Sequence, residues 1–140
     1  MKKILIVNAN YYKNISKKLV LSSKKRLNNS VKVNIVNVPG IFEIPIAIRK
    51  NIKKFDGFLA LGCVIKGQTP HFDLICYSTF NSILNLSTTY NKPIGNGIIT
   101  AYNMKQALQR CKNTTSKKPD KGSEAANAVM SILQNGPKKI

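Results

Sequence analysis

At 140 residues, 43% of them hydrophobic, the chain is long enough for one ordinary domain with its own core and too short for two, and it is too apolar for a disordered polymer. Lys and Arg number 23 against 5 Asp and Glu, a net charge of +18 that calls for weighing nucleic acid and anionic substrates as partners. The charge is dispersed as Lys17-Lys18, Lys24-Lys25-Arg26, Lys53-Lys54, Lys117-Lys118 and Lys138-Lys139, nearly all of it Lys, so no basic reading element forms and nucleic acid is not the expected partner.

Residues 1–140 therefore read as a single domain. Met1-Lys2-Lys3 and the apolar Ile4–Val7 begin like a secretory leader, but the apolar run stops at Asn8 and no small-residue cleavage site follows. This end reads as a first strand, Lys3 to Asn8, of a cytoplasmic protein. A helix follows from Asn14 to Leu27, with Ile15, Leu19 and Val20 on one face and lysines opposite. Val31 to Val38 is a second strand with Val31, Val33, Ile35 and Asn37 on one side, broken by Pro39-Gly40. Phe42 to Ile52 is a short helix, with Pro45 allowed in its first turn, where a missing N–H costs nothing.

Phe58 to Ile65 is continuously apolar, as expected of a strand covered on both faces. The apolar run Gly57–Ile65 is about half the length of a membrane helix. After the turn Gly67-Gln68-Thr69-Pro70 comes a long helix to about Thr89, with Thr69 expected as N-cap. Its inner face is predicted as Phe72, Ile75, Cys76, Thr79, Phe80, Ile83 and Leu84. Ile94 to Thr100 is a fourth strand and Asn103 to Cys111 a short helix. The stretch from Lys112 to Pro119 is a polar loop, and Asp120 caps a last helix. That helix presents Ala125, Ala126, Val129, Ile132 and Leu133, and Gly136-Pro137 ends it.

Strands alternating with helical crossovers predict an α/β fold, a four-stranded parallel sheet with helices on both faces. Ligands of such sheets sit outside the carboxyl ends of the strands. His71, the single histidine, falls in that region, where an imidazole is placed to move protons at neutral pH. Lys66-Gly67-Gln68-Thr69 leads into the same helix N-terminus, which suits either an anion or an ordinary capped turn. Arg110 offers a fork of N–H donors to a phosphate, or is a surface residue at a helix C-terminus. Glu43 favours a helix N-terminus. Tyr11 and Phe42 fit either core or a flat-ring stack, and Lys121 and Glu124 fit a surface pair. Cys63, Cys76 and Cys111 lack metal spacing and read as free thiols in a reducing compartment. No metal and no cofactor is expected.

Four ordered segments carry a family resemblance: Val38-Pro39-Gly40-Ile41-Phe42-Glu43-Ile44-Pro45, then Leu61-Gly62-Cys63-Val64-Ile65-Lys66-Gly67-Gln68-Thr69-Pro70-His71-Phe72-Asp73, then Pro93 to Thr100 (PIGNGIIT), and finally Gln106 to Arg110 with Lys121 to Ala126. Together they resemble the lumazine synthase family across essentially the whole chain. The resemblance implies a three-layer, flavodoxin-like α/β sandwich. It implies condensation of a ribityl-aminopyrimidine with a four-carbon sugar phosphate in riboflavin biosynthesis. Tyr11 would stack on the pyrimidine, and Ile41, Phe42 and Glu43 would hold it and its ribityl chain. Cys63, Val64 and Ile65 would line the same pocket, and Asn96 would close it. Gln68, Thr69 and Arg110 would bind phosphate, and His71 would transfer protons, with Lys121 and Glu124 nearby and Glu124 orienting the imidazole.

His71 and Arg110 are thus expected to converge at neighbouring strand tips. The resemblance also implies a homo-oligomer with sites at subunit boundaries, and riboflavin synthase as a further partner. A pentamer is expected, not an icosahedral shell, because the loop between Arg110 and Lys121 is longer than in capsid-forming members through Lys117-Lys118-Pro119-Asp120. This chain departs from the family at Asn10, where an Arg is usual, at Lys66, also Arg in the family, and at Asn96, often Phe.

Overall fold

In the computed structural model, which describes residues 1–112 and 119–134, the apolar runs become four parallel strands in the order β2-β1-β3-β4. β1 spans Lys3–Ala9, β2 Lys32–Val38, β3 Gly57–Ile65 and β4 Ile94–Ala101. The central strands β1 and β3 are buried on both faces, which is why their sequences are continuously apolar where a half-exposed strand would alternate. Register brings Ile4–Asn8 of β1 beside Gly57–Leu61, and Phe58–Ile65 beside the whole of β4.

The connecting helices are α1 (Lys13–Leu27), α2 (Ile44–Lys50, led by a 3-10 turn at Ile41–Glu43), α3 (His71–Tyr90), α4 (Met104–Cys111) and α5 (Lys121–Gln134). α1, α4 and α5 cover one face of the sheet and α2 and α3 the other. Strand alternation feeds two cores: Ile4, Ile6, Leu59 and Leu61 meet α1 and α5, while Leu5, Val7, Phe58 and Ala60 meet α2 and α3. α5 approaches β4 so closely that a Cβ on Gly95 would collide with the carbonyl of Ala125, which accounts for a glycine in the Pro93–Thr100 segment.

Some expected inner positions are outside. Ile35 is 41% exposed, because β2 is an edge strand and α1 covers only part of its face; Val33, Val36 and Val38 are the half-buried residues there. Leu84 is exposed and Leu86 takes its place, and Ile132 is exposed while Gly122 and Met130 pack inward. The N-cap position of α3 is Pro70 in place of Thr69, although Thr69 Oγ1 still accepts the His71 N–H at 3.4 Å. Asp120 caps α5 as expected, its Oδ1 accepting the Ser123 N–H at 3.0 Å. The insertion at residues 117–118 and the ending at Gly136-Pro137 lie outside the described residues.

Candidate functional site

The carboxyl ends of the four strands open on one edge of the sheet, and three turns there carry most of the expected site residues. After β1, Asn10 ties its N–H to the carbonyl of Val38 at 3.0 Å, joining the loops beyond β1 and β2. Tyr11, 75% exposed, projects beside Tyr12 with ring centroids 4.9 Å apart and planes at 81°. After β2, Glu43 Oε1 accepts the N–H of Gly40 at 3.0 Å and fixes the turn into α2. Ile41 is buried beneath that turn, while Phe42 is 65% exposed. Ile41 seats there because position 62 of β3 is glycine: a Cβ would stand 2.9 Å from Ile41 Cγ2.

After β3, the exposed turn Lys66–Pro70 leads into α3. Its first residue is anchored to the next strand, with the Lys66 N–H donating to the Ala101 carbonyl at 2.8 Å. Lys66 Nζ lies 5.4 Å from the ring centroid of Tyr102, a cation–π contact that holds the turn against the end of β4. His71 opens α3 with its side chain exposed. It shares a cavity of about 360 Å³ with Phe42, Leu74, Ile75 and Ser78. Phe42 and Ser78 also border a larger cavity of about 490 Å³ with Glu43, Pro45, Ile46, Thr79 and Ser82. His71 lines only the smaller hollow, beside Phe42, while the larger one holds the Glu43 carboxyl. Thr79 Oγ1, in the wall of the larger cavity, has no hydrogen-bond partner among the described residues.

Four expected residues stand elsewhere in the same chain. Asn96 is the third residue of β4, opposite Ala60 and well short of the carboxyl end, and its Oδ1 accepts the Ile98 N–H at 3.1 Å. Arg110 is exposed on the last turn of α4, across the sheet from α3. Lys121 and Glu124 begin α5 and pair with each other at 3.4 Å, so Glu124 does not orient His71 within one chain. Neither cavity containing Phe42 includes Asn96, Arg110, Lys121 or Glu124 in its wall. The expected convergence of His71 and Arg110 is therefore not met within a single chain.

Alternation also divides Cys63, Val64 and Ile65. Cys63 and Ile65 join the core on the α1 face, and Val64 packs on the α2–α3 face that carries Phe42 and His71. Burial, reinforced by the nearby Cys111, pushes the Cys63 thiol up to about 11, so it is neutral and poorly nucleophilic near pH 7. All three cysteines are free and buried. Gln68 and Thr69 are exposed in the turn before α3. Sequence reasoning passed over Tyr102, Leu74 and Ser78; the last two were findable, since positions three and seven beyond a helical His71 share its face.

The assembled groups offer an imidazole for proton transfer, exposed aromatic faces for a flat ring, and first-turn N–H groups of α3 for an anion. Among the described residues, no group of three His, Cys, Asp or Glu is placed to hold a metal ion.

Comparison with known proteins is consistent along the chain. The family model described as 6,7-dimethyl-8-ribityllumazine synthase matches residues 1–135. A protein of that name from Novosphingobium aromaticivorans is 39% identical over 136 residues, covering 95% of this chain and 95% of the relative. One from Bartonella bacilliformis is 38% identical over 134 residues, covering 92% and 88%. One from Campylobacter curvus is 35% identical over 137 residues, covering 94% and 86%.

Proposed function

This chain belongs to the 6,7-dimethyl-8-ribityllumazine synthase family, and from that premise we propose how its residues divide the family's reaction between two copies of the chain. The activity is condensation of 5-amino-6-(D-ribitylamino)uracil with 3,4-dihydroxy-2-butanone 4-phosphate to 6,7-dimethyl-8-ribityllumazine, a step of riboflavin biosynthesis.

Tyr11 stacks on the pyrimidine, and the backbone of Ile41, Phe42 and Glu43 holds the ring and the ribityl chain. Cys63, Val64 and Ile65 form the floor, the first and last through backbone alone. Gln68, Thr69 and the first N–H groups of α3 receive the phosphate together with Arg110. His71 moves protons as the pyrimidine amine adds to the ketone, as water leaves to give the imine, as phosphate is eliminated and as the ring closes with loss of a second water. Fixing the two substrates side by side lowers the barrier by up to several kcal/mol, and a positioned acid–base adds about 10²–10⁴-fold.

The observation that carries this reading is the separation of the residues into two sets on one chain. Tyr11, Phe42, Glu43, Gln68, Thr69 and His71 occupy the turns at the strand ends, while Asn96, Arg110, Lys121 and Glu124 occupy β4, α4 and α5. A neighbouring copy that docks its second set over the first set completes the site, and closure of such head-to-tail contacts gives a ring, here a pentamer. Leu74, Tyr77 and Leu84 form an exposed apolar stripe on α3, and Phe42 and Ile46 are exposed beside it, the surface such packing requires. The test mixes the two substrates with the protein and watches for the lumazine chromophore. Steady formation is expected; no product from the intact protein overturns the reading.

A further inference from the structure

The turn that carries Gln68 and Thr69 from β3 to the start of α3 is lightly held. Among the described residues its hydrogen bonds beyond Lys66 are local: Thr69 Oγ1 accepts the His71 N–H at 3.4 Å, and the Pro70 carbonyl accepts the Leu74 N–H at 3.1 Å. Nothing stands within 4 Å of where a Cβ on Gly67 would lie, so no other element packs against that point. The tie to the neighbouring strand is made at Lys66, by two groups of one residue. Its N–H donates to the Ala101 carbonyl at 2.8 Å, and its Nζ lies 5.4 Å from the centroid of the Tyr102 ring. Consecutive residues at the end of β4 thus hold the backbone and the side chain of the same lysine.

Tyr102 is itself fixed. Its N–H donates to Gln106 Oε1 at 2.8 Å, and Asn103 Oδ1 accepts the Gln106 N–H at 2.9 Å, so the end of β4 is locked to the first turn of α4. An aromatic face attracts a cation through its quadrupole and carries no net charge, so it places an ammonium without neutralising it. No carboxylate offsets Lys66 either: among the described residues, the one ion pair is Lys121 with Glu124. The lysine therefore keeps its charge in the same turn that carries Gln68 and Thr69.

We propose that Tyr102 is a positioning residue for the sugar phosphate. Its ring fixes Lys66, Lys66 fixes the turn, and the turn presents Gln68 and Thr69 to the substrate phosphate, with the Lys66 charge left free to attract it. The proposal rests on the reading of Gln68 and Thr69 as phosphate-binding residues and adds two residues to it. Tyr102 acts through Lys66 and does not touch substrate. Its loss loosens the grip on one substrate and leaves the pyrimidine end, built on Tyr11 and the turn into α2, as it was.

Steady-state kinetics on the full chain, with each substrate varied in turn, tests this. Tyr102→Ala is expected to raise KM for the sugar phosphate by about two- to fivefold, the effect of one exposed cation–π contact, and to leave KM for the pyrimidine unchanged. Tyr102→Phe, which keeps the ring face, is expected to restore the intact KM. Lys66→Met is expected to raise the same KM by at least as much as Tyr102→Ala. Adding Tyr102→Ala to Lys66→Met is expected to change nothing further, since ring and ammonium act as one unit. A general disturbance of the site would raise both KM values and would not be absorbed by Lys66→Met. Gln68→Ala combined with Thr69→Ala tests the reading beneath. A raised sugar-phosphate KM in that chain, with none in Tyr102→Ala, overturns the positioning role and leaves the phosphate reading standing. An unchanged KM in that chain overturns the phosphate reading and the proposal with it. Tyr102→Phe as impaired as Tyr102→Ala, or losses that add in the Lys66 and Tyr102 double variant, also overturn the proposal.

Discussion

His71 and Arg110 make separable demands on the reaction. His71→Ala is expected to lower kcat by about 10²–10⁴-fold with modest change in KM, as loss of one general acid–base group does. Arg110→Ala is expected to raise KM for the sugar phosphate by about tenfold or more, since a charge-assisted hydrogen bond contributes about 1.5–3 kcal/mol. Steady-state kinetics with each substrate varied in turn separates the two, and an unchanged sugar-phosphate KM contradicts the phosphate role of Arg110. Cys63 tests the other side of the account. Its thiol is pushed to about 11 by burial, so alkylation of the folded protein at pH 7 is expected to be slow and to leave turnover intact, followed by mass spectrometry alongside the assay. Residue identities were legible in the sequence because their motifs are ordered and specific. Orientation was legible only where alternation was applied: one step of the strand puts Val64 on the face that carries His71, and Cys63 and Ile65 on the other.

Among the elements, α5 depends most visibly on one residue at its start. Asp120 is buried, which opposes its charge, but hydrogen bonds from Ser22 and from the N–H and hydroxyl of Ser123 outweigh that and hold its carboxyl below the usual value. The folded state therefore favours the carboxylate. This contribution is fully present above the unfolded value, near pH 4, and fades as pH falls through the lower folded value. Asp120→Ala is expected to cost about 0.5–2 kcal/mol at pH 7, and less in acid, by denaturant melts at several pH values. The cap was legible because an Asp just before an apolar-periodic run announces a helix start. Ile35 and Leu84 were misjudged because periodicity marks the apolar positions of an element and says nothing of how far its neighbours extend over them. The end of α3 uses Asn91 in the left-handed region at φ 54°, a role that its place before Lys92-Pro93 suggests.

At the scale of the molecule, the parallel sheet and its two helical layers follow from the order of apolar runs, and because all four strands run parallel their carboxyl ends share one edge. The completed site was less legible, because a single sequence does not say whether two sets of residues meet within one copy or between two. Here α3 with His71 and α4 with Arg110 lie on opposite faces of the sheet. The central claim is that His71 of one copy works with Arg110 of the next. The most direct test unfolds His71→Ala and Arg110→Ala chains, refolds them together in equal amounts, and measures lumazine formation with the sugar phosphate held well below its KM for the intact protein, where the Arg110→Ala chains alone are slow. Sites between copies that assemble at random would restore about a quarter of the intact activity, since each closed-ring boundary draws one residue from each neighbour. A mixture no more active than either variant alone would contradict the account.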